Sequence, residues 1–103
     1  MTQDADDQTV DLADLEDLAK SDKRPPKAKT YRIRLDKLKY DVSKPGMTGA
    51  EILALAGKTP VTHLLSQKFR GGVVEAIAPT QFVDFRNPGV ERFQTIATDP
   101  TEG

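Results

Sequence analysis

One segment decides how this chain folds: Met47-Thr48-Gly49-Ala50-Glu51-Ile52-Leu53-Ala54-Leu55-Ala56-Gly57. Thr48 can cap a helix, and Glu51 follows three residues later, which is the spacing of a capping box. Gly57 stands where helices commonly end in a left-handed residue. The apolar residues between these signals fall on one face of a helix. Because a short helix is not stable alone, we expect the rest of the fold to supply the surface on which this face packs.

Composition limits the classes of protein that the chain can belong to. It has 103 residues, 37% of them hydrophobic, and a mean hydropathy of -0.52, which predicts that part of it does not fold. It has no cysteine, so a disulfide framework, a thiolate metal site and a cysteine nucleophile are excluded. The N-terminus is acidic and no apolar run approaches membrane-spanning length, which predicts a cytoplasmic protein with no membrane partner.

The formal net charge of -1 conceals two blocks of opposite charge. Residues 1–22 contain eight acids and one lysine, for a net charge of -7, whereas residues 23–44 contain nine basic residues and two acids, for +7. These blocks can attract each other within one chain, or each can bind a partner. The basic block has no interleaved aromatic residues between Lys23 and Lys29, which argues against a nucleic-acid partner.

Residues 1–29 are predicted to be a disordered tail, acidic and then basic. Polar residues dominate them, and Pro25-Pro26 interrupts any helix. A second interpretation stays open, since four apolar residues recur about every three positions among the acids, as in an amphipathic helix that docks into a groove. These residues are Val10, Leu12, Leu15 and Leu18.

The rest of the chain alternates in the manner of β-strands. Strands are predicted at 31–35, 38–42, 61–69, 73–77 and 91–97, and residues 81–85 form either a strand or a helical turn. With the helix after the first hairpin, this order predicts an α+β, ubiquitin-like β-grasp domain over residues 30–97. One helix would lie across a mixed sheet of four or five strands, and residues 98–103 would form a flexible C-terminal tail.

Three segments together resemble the bacterial multiubiquitin family. They are Tyr31-Arg32-Ile33-Arg34-Leu35-Asp36, the helix from Thr48 to Lys58, and Val83-Asp84-Phe85-Arg86-Asn87-Pro88-Gly89-Val90-Glu91-Arg92-Phe93. The resemblance covers residues 30–97 and implies a single-copy ubiquitin-like modifier. It also implies four kinds of partner: an activating enzyme, a conjugating enzyme, a metal-dependent isopeptidase of the JAB type, and target proteins.

The resemblance places the working chemistry at Gly103. An activating enzyme would adenylate its carboxylate with ATP, an enzyme cysteine would take it as a thioester, and a target would receive it in an isopeptide bond. The chain itself would be neither an enzyme nor the holder of a cofactor. Two alternatives remain: a non-conjugated β-grasp adaptor, and a sulfur carrier, although such carriers usually end in a glycine pair, unlike Glu102-Gly103.

Few other residues suggest a site. His63 has no cysteine or second histidine with which to share a metal, and Ser66 has no identifiable base, so neither a metal site nor a catalytic site is predicted. Alternation along the last strand places Phe93 in the core. Leu64, Arg92 and Ile96 would then form a partner-binding patch on the opposite face. A slip of one residue in register would exchange the two faces.

Overall fold

The computed structural model describes residues 9–98, which form an α+β fold with a mixed sheet. Within this range the chain forms eight strands and two helices. In chain order they are β1 (Val10–Asp14), α1 (Leu15–Lys20), β2 (Ala28–Leu35), β3 (Leu38–Val42), β4 (Gly46–Thr48), α2 (Gly49–Leu55), β5 (His63–Phe69), β6 (Val74–Ile77), β7 (Phe82–Asp84) and β8 (Val90–Ala97).

Six of these strands form the main sheet, in the part of the chain that the structure describes. β3, β2, β8, β5 and β6 lie side by side in that order, and β1 also pairs with β2. β2 runs parallel to β1 and β8, while the pairs β2–β3, β5–β8 and β5–β6 are antiparallel. Tyr31 and Arg32 pair with β3 on one side and with β1 on the other. Leu35 likewise pairs with β3 on one side and with β8 on the other. β1 therefore lies on the same edge of β2 as β8.

The opening segment forms α2 as its end signals predict. The Thr48 hydroxyl accepts a hydrogen bond from the Glu51 backbone N–H, and the Glu51 carboxylate accepts one from the Thr48 N–H, so the capping box is complete. Gly57 has a φ of +73° just beyond the helix. Gly49 admits close contact, since a Cβ there would lie 2.4 Å from the Ala78 carbonyl oxygen.

The core lies on one face of the main sheet, beneath α2. Ile52 and Leu53 of α2 are buried in the same cluster as the inward-facing residues of the sheet. Phe85 packs at its centre, with ring centroids 6.2 Å from Tyr31 and 6.3 Å from Phe93. The strand residues of this cluster alternate with less buried residues. Those residues lie on the opposite face of the sheet, which points away from α2.

The predicted fold class is confirmed in its α+β character and its mixed sheet, an arrangement consistent with a β-grasp. The count of elements differs from the prediction. Over residues 9–98 there are two helices instead of one, and the main sheet has six strands instead of four or five. Residues 82–84, left open between strand and helical turn, form β7, which pairs with β4 in a separate two-stranded sheet. Phe85 follows β7 directly, so this small sheet positions the Phe85 ring in the core between Tyr31 and Phe93.

The prediction of a tail over residues 1–29 is wrong for Val10–Lys20, which fold onto the domain as β1 and α1, and for Ala28 and Lys29, which begin β2. Ala13, Leu15 and Ala19 are each at most 2% exposed, and α1 packs against β8 and β2. The acidic composition concealed this because the burial is shared between a strand and a helix, so no single period spans the segment. Residues 1–8 of the predicted tail, and 99–103 at the other end, lie outside the described residues.

Candidate functional site

The candidate site is the face of the main sheet that points away from α2, here called the open face. On β5 and β8 it carries three cross-strand pairs, Leu64 with Ile96, Ser66 with Gln94, and Lys68 with Arg92. Residues on either side of these, such as Leu65 and Phe93, are buried in the core. The alternation of the two strands therefore separates the open face from the core, residue by residue.

All three residues of the predicted patch lie on the open face. Leu64 is 60% exposed and Ile96 is 66% exposed, and the register places them directly opposite each other. Arg92 is four residues from Ile96 along β8, about 13 Å away in an extended strand. The structure thus joins Leu64 and Ile96 into one apolar pair and places Arg92 towards the other end of the same face. Exposed Val74 extends the apolar surface, since it pairs with Lys68.

A surface cavity of about 520 Å³ lies on this face. Its lining combines apolar side chains, uncharged polar side chains, one carboxylate and three cations, contributed by the β2–β3 hairpin, β5, β6 and β8. The lining residues are Arg34, Asp36, Lys37, Ser66, Val74, Arg92, Gln94, Thr95 and Ile96. Such a cavity suits a partner that brings an apolar side chain and a carboxylate together.

Of the charged side chains around the cavity, some have partners among residues 9–98 and others do not. The Asp36 carboxylate accepts hydrogen bonds from the Thr95 N–H at 2.9 Å and from the Thr95 hydroxyl at 2.6 Å, which fastens the β2–β3 hairpin to β8. Arg92 Nε is buried and has no hydrogen-bond partner among residues 9–98. Neither Arg92 nor Lys37 forms an ion pair within that range. These two side chains leave positive charge on the open face.

The remaining charges on β2 and β3 are paired within the chain. Arg32 binds Asp41 through two hydrogen bonds of 2.7 and 3.0 Å, which raise the pKa of Arg32 and lower that of Asp41. Arg34 binds the carboxylate of Glu16 at 2.9 Å. The hairpin residues Arg34 and Lys37 were not among the predicted patch residues. The alternation of β2 could have identified Arg34, since it places Arg34 on the face of the sheet away from the core residue Ile33.

The predicted conjugation site, Gly103, lies outside the described residues. The residue that follows β8, the last strand before Gly103 in the sequence, is held by two hydrogen bonds. Beyond Ala97, the Thr98 N–H donates to the Thr62 carbonyl at 2.9 Å and the Thr98 hydroxyl donates to the Val61 carbonyl at 2.9 Å. These two bonds hold Thr98, the last residue that the structure describes, against the turn before β5.

His63 lies beside the end of β8. Its Nδ1 is 2.9 Å from the Thr62 hydroxyl, and His63 pairs with Ala97 across β5 and β8. Within residues 9–98 no group of three histidine, cysteine or carboxylate side chains is arranged to hold a metal ion. In the same range no helix combines the length and the apolar character needed to cross a membrane.

The fold and the open face define a small α+β protein with a mixed sheet and one apolar and basic surface opposite its main helix. The multiubiquitin family model matches residues 31–98, more than half of the chain, and the chain therefore belongs to the multiubiquitin family. No curated protein and no solved structure matches it. The match begins at Tyr31, so β1 and α1 lie outside the matched residues.

Proposed function

We propose that this chain is a bacterial, cytoplasmic ubiquitin-like modifier with a β-grasp fold, activated at the carboxylate of Gly103 and conjugated to target proteins. The observation that carries the proposal is the family match over residues 31–98. The strand arrangement supports it, because β8 lies at the centre of the main sheet and leads directly into the segment that contains Gly103.

The proposed chemistry needs an accessible carboxylate and no side chain beside it. An activating enzyme would join the Gly103 carboxylate to the adenylyl group of ATP and release pyrophosphate. A cysteine thiolate of the enzyme would then attack the adenylate, release AMP and form a thioester. After transfer to a conjugating enzyme, an amine of the target would displace the thiol and form the isopeptide bond, which a metal-dependent isopeptidase would hydrolyse. Glycine suits this task because it has no Cβ to hinder close approach in a narrow channel.

The test is activation of the purified chain by its activating enzyme in the presence of ATP. We expect ATP–pyrophosphate exchange and a thiol-sensitive shift of the enzyme on a non-reducing gel with the full chain. A variant that lacks Gly103 should give neither signal. The Val61→Ser variant is a matched control, since Val61 is 83% exposed and lies outside the C-terminal segment. Equal activity of the full chain and the shortened variant would contradict the proposal.

A second function is favoured by the open face, which combines the Leu64–Ile96 pair with a cation-lined cavity. An adaptor that is not conjugated would use this face alone to hold its partner. The thioester assay of the full chain, together with titration calorimetry against the activating enzyme, separates the two functions, because only a modifier forms the thioester. An adaptor keeps its affinity when Gly103 is removed and loses it in the double variant Leu64→Ser, Ile96→Ser. A modifier that lacks Gly103 still binds but fails to form the thioester.

A further inference from the structure

We propose that the outer edge of β3 binds a partner protein by strand addition, and that the partner supplies an extended segment of alternating apolar residues followed by acidic ones. The site, here called the β3 groove, is a surface cavity of about 540 Å³. Its lining includes Leu38 and Tyr40 of β3, Lys37 of the turn before β3, and Ala56 and Lys58 beyond α2. The proposal concerns a non-covalent partner, so it rests neither on conjugation through Gly103 nor on the open face.

The backbone of β3 has groups available for a further strand. Among residues 9–98, β3 pairs with β2 alone, and its residues form no backbone–backbone hydrogen bond outside that pairing. A two-residue turn brings Leu35 and Leu38 into a hydrogen-bonded pair. Because such pairs alternate along antiparallel strands, the N–H and C=O groups of Lys39 and Asp41 point away from β2. An extended segment beside β3 can bond to these groups as another strand of the sheet would.

The apolar lining of the β3 groove determines which side chains fit there. Leu38 and Tyr40 lie opposite the core residues Leu35 and Ile33, so their side chains are on the same face of the sheet as α2. Leu38 is nevertheless 62% exposed. A strand added to β3 places every second side chain on this face. Apolar side chains at alternate positions of the partner would therefore cover Leu38 and extend the core outwards.

The charge of the β3 groove favours an acidic partner over a second copy of this chain. Lys37 and Lys58 line the groove, and neither forms an ion pair within residues 9–98. The carboxylate that also lines it, Asp36, accepts two hydrogen bonds from Thr95. The β3 strand of a second copy would bring Lys37 and Lys39 towards these cations, whereas aspartate and glutamate complement them.

The position of Lys37 sets the order of the partner's residues. Lys37 directly precedes Leu38, so the acidic residues belong at the end of the segment that lies beside the turn. Antiparallel pairing is the more stable of the two orientations per residue, and it places this end at the C-terminus of the segment. The expected pattern is therefore an alternating apolar run with acids on its C-terminal side.

The probe is a fluorescein-labelled peptide, Thr-Val-Thr-Ile-Thr-Val-Asp-Asp-Glu, titrated with the full chain and followed by fluorescence anisotropy. We expect saturable binding that weakens about tenfold in Leu38→Ser, because this variant removes an apolar side chain that the peptide buries. Leu64→Ser is the matched control, since Leu64 is 60% exposed but lies on the open face, and it should bind as the parent chain does. Urea unfolding of both variants checks that they remain folded.

Two further comparisons test the charge and the backbone pairing. Lys58→Glu should weaken binding about fivefold at low salt and less at high salt, whereas Lys23→Glu, the same change at an exposed lysine outside the groove, should have little effect. A peptide with proline in place of its two inner threonines should not bind. Those threonines face Lys39 and Asp41, and proline removes the N–H groups that would bond to them.

Hydrogen exchange followed by NMR locates the peptide on the chain. Strand addition should slow exchange of the Lys39 and Asp41 amides. It should leave the amides of β6 unchanged, because β6, at the other edge of the sheet, carries Glu75, which repels the acidic peptide.

Any of four results would overturn the proposal. They are the absence of saturable binding, equal binding by Leu38→Ser and Leu64→Ser, binding of the proline peptide, and protection that appears at β6 or the open face instead of β3. Light scattering of the chain alone supplies a last check. A dimer whose Lys39 and Asp41 amides are protected without peptide would show that a second copy occupies the edge, and would also overturn it.

Discussion

Glu16 is buried, yet Arg34, Lys39 and Lys20 surround its carboxylate and keep it charged. Burial by itself raises the pKa of this group, but the hydrogen bonds and charges of the three cations together hold its pKa below the ordinary value of 4.5. The folded state therefore gains stability from Glu16 above about pH 4.5. It loses that stability as the pH falls through the lower folded pKa.

We expect Glu16→Gln to lower the free energy of unfolding at pH 7 by about 2 kcal/mol, because Arg34 and Lys39 lose their shared anion. The difference between the variant and the parent chain should shrink as the pH falls below 4.5 and through the lower folded pKa, where the parent carboxylate takes up a proton. Urea unfolding at a series of pH values measures both quantities. Asp17→Asn is the matched control, since Asp17 is exposed on the same helix and forms no ion pair within residues 9–98. A difference that stays constant with pH would assign the effect of Glu16 to packing.

At the scale of elements, the docking of β1 and α1 has a direct test. We expect Leu15→Ala to lower the free energy of unfolding by about 2–3 kcal/mol, because Leu15 is 2% exposed within the core cluster. Leu12→Ala, three residues earlier on β1, should cost less than about 1 kcal/mol, since Leu12 is 40% exposed. Urea midpoints of the two variants measure the contrast. A tail that does not pack on the domain predicts no change for either variant.

The same elements show how far sequence patterns reach. The capping box of Thr48 and Glu51 is local, and α2 formed where it was predicted. The β2–β3 hairpin followed from alternation across a two-residue turn, which is also local. By contrast, β1 is held by a parallel partner 18 residues later, Ala28 for Val10, and α1, which follows it, packs against β8. The hydrophobic pattern of five residues does not identify a distant strand as their partner. The acidic composition of the segment therefore predicts a tail.

For the candidate site as well, local sequence patterns predicted one part, and long-range contacts determine the other. Leu64, Arg92 and Ile96 were predicted on one face from the alternation of the last strand, and the register of β5 against β8 places them on one face. The binding of a partner by that face stays a prediction. The cavity beside them could not be predicted, since it depends on how the β2–β3 hairpin is fastened to β8. That fastening is the contact of Asp36 with Thr95, 59 residues apart in the chain. Long-range polar contacts of this kind leave no periodic signal in the sequence.

For the whole molecule, the two charged blocks of the chain attract each other internally within the described residues. Asp14 and Glu16 of the acidic block bind Lys39 and Arg34 of the basic block, and Asp11 lies 3.8 Å from Lys29. Among the described residues, these pairs correspond to the first of the two alternatives for the charge pattern, attraction within one chain. The open face at β5, β6 and β8 combines exposed apolar side chains with Arg92 and Lys37, two cations that form no ion pair among residues 9–98.

The separation of a core face from an open face leads to opposite expectations for two adjacent residues of β5. Leu65→Thr should lower the free energy of unfolding by about 3 kcal/mol, because Leu65 is 3% exposed and threonine would bury a hydroxyl in the core. Leu64→Thr should change it by less than about 0.5 kcal/mol, since Leu64 is 60% exposed and threonine suits a strand. Urea unfolding of the two variants measures the contrast. If the costs were reversed, the register of β5 against β8 would be shifted by one residue, and the surface presented to partners would be formed by the opposite set of side chains.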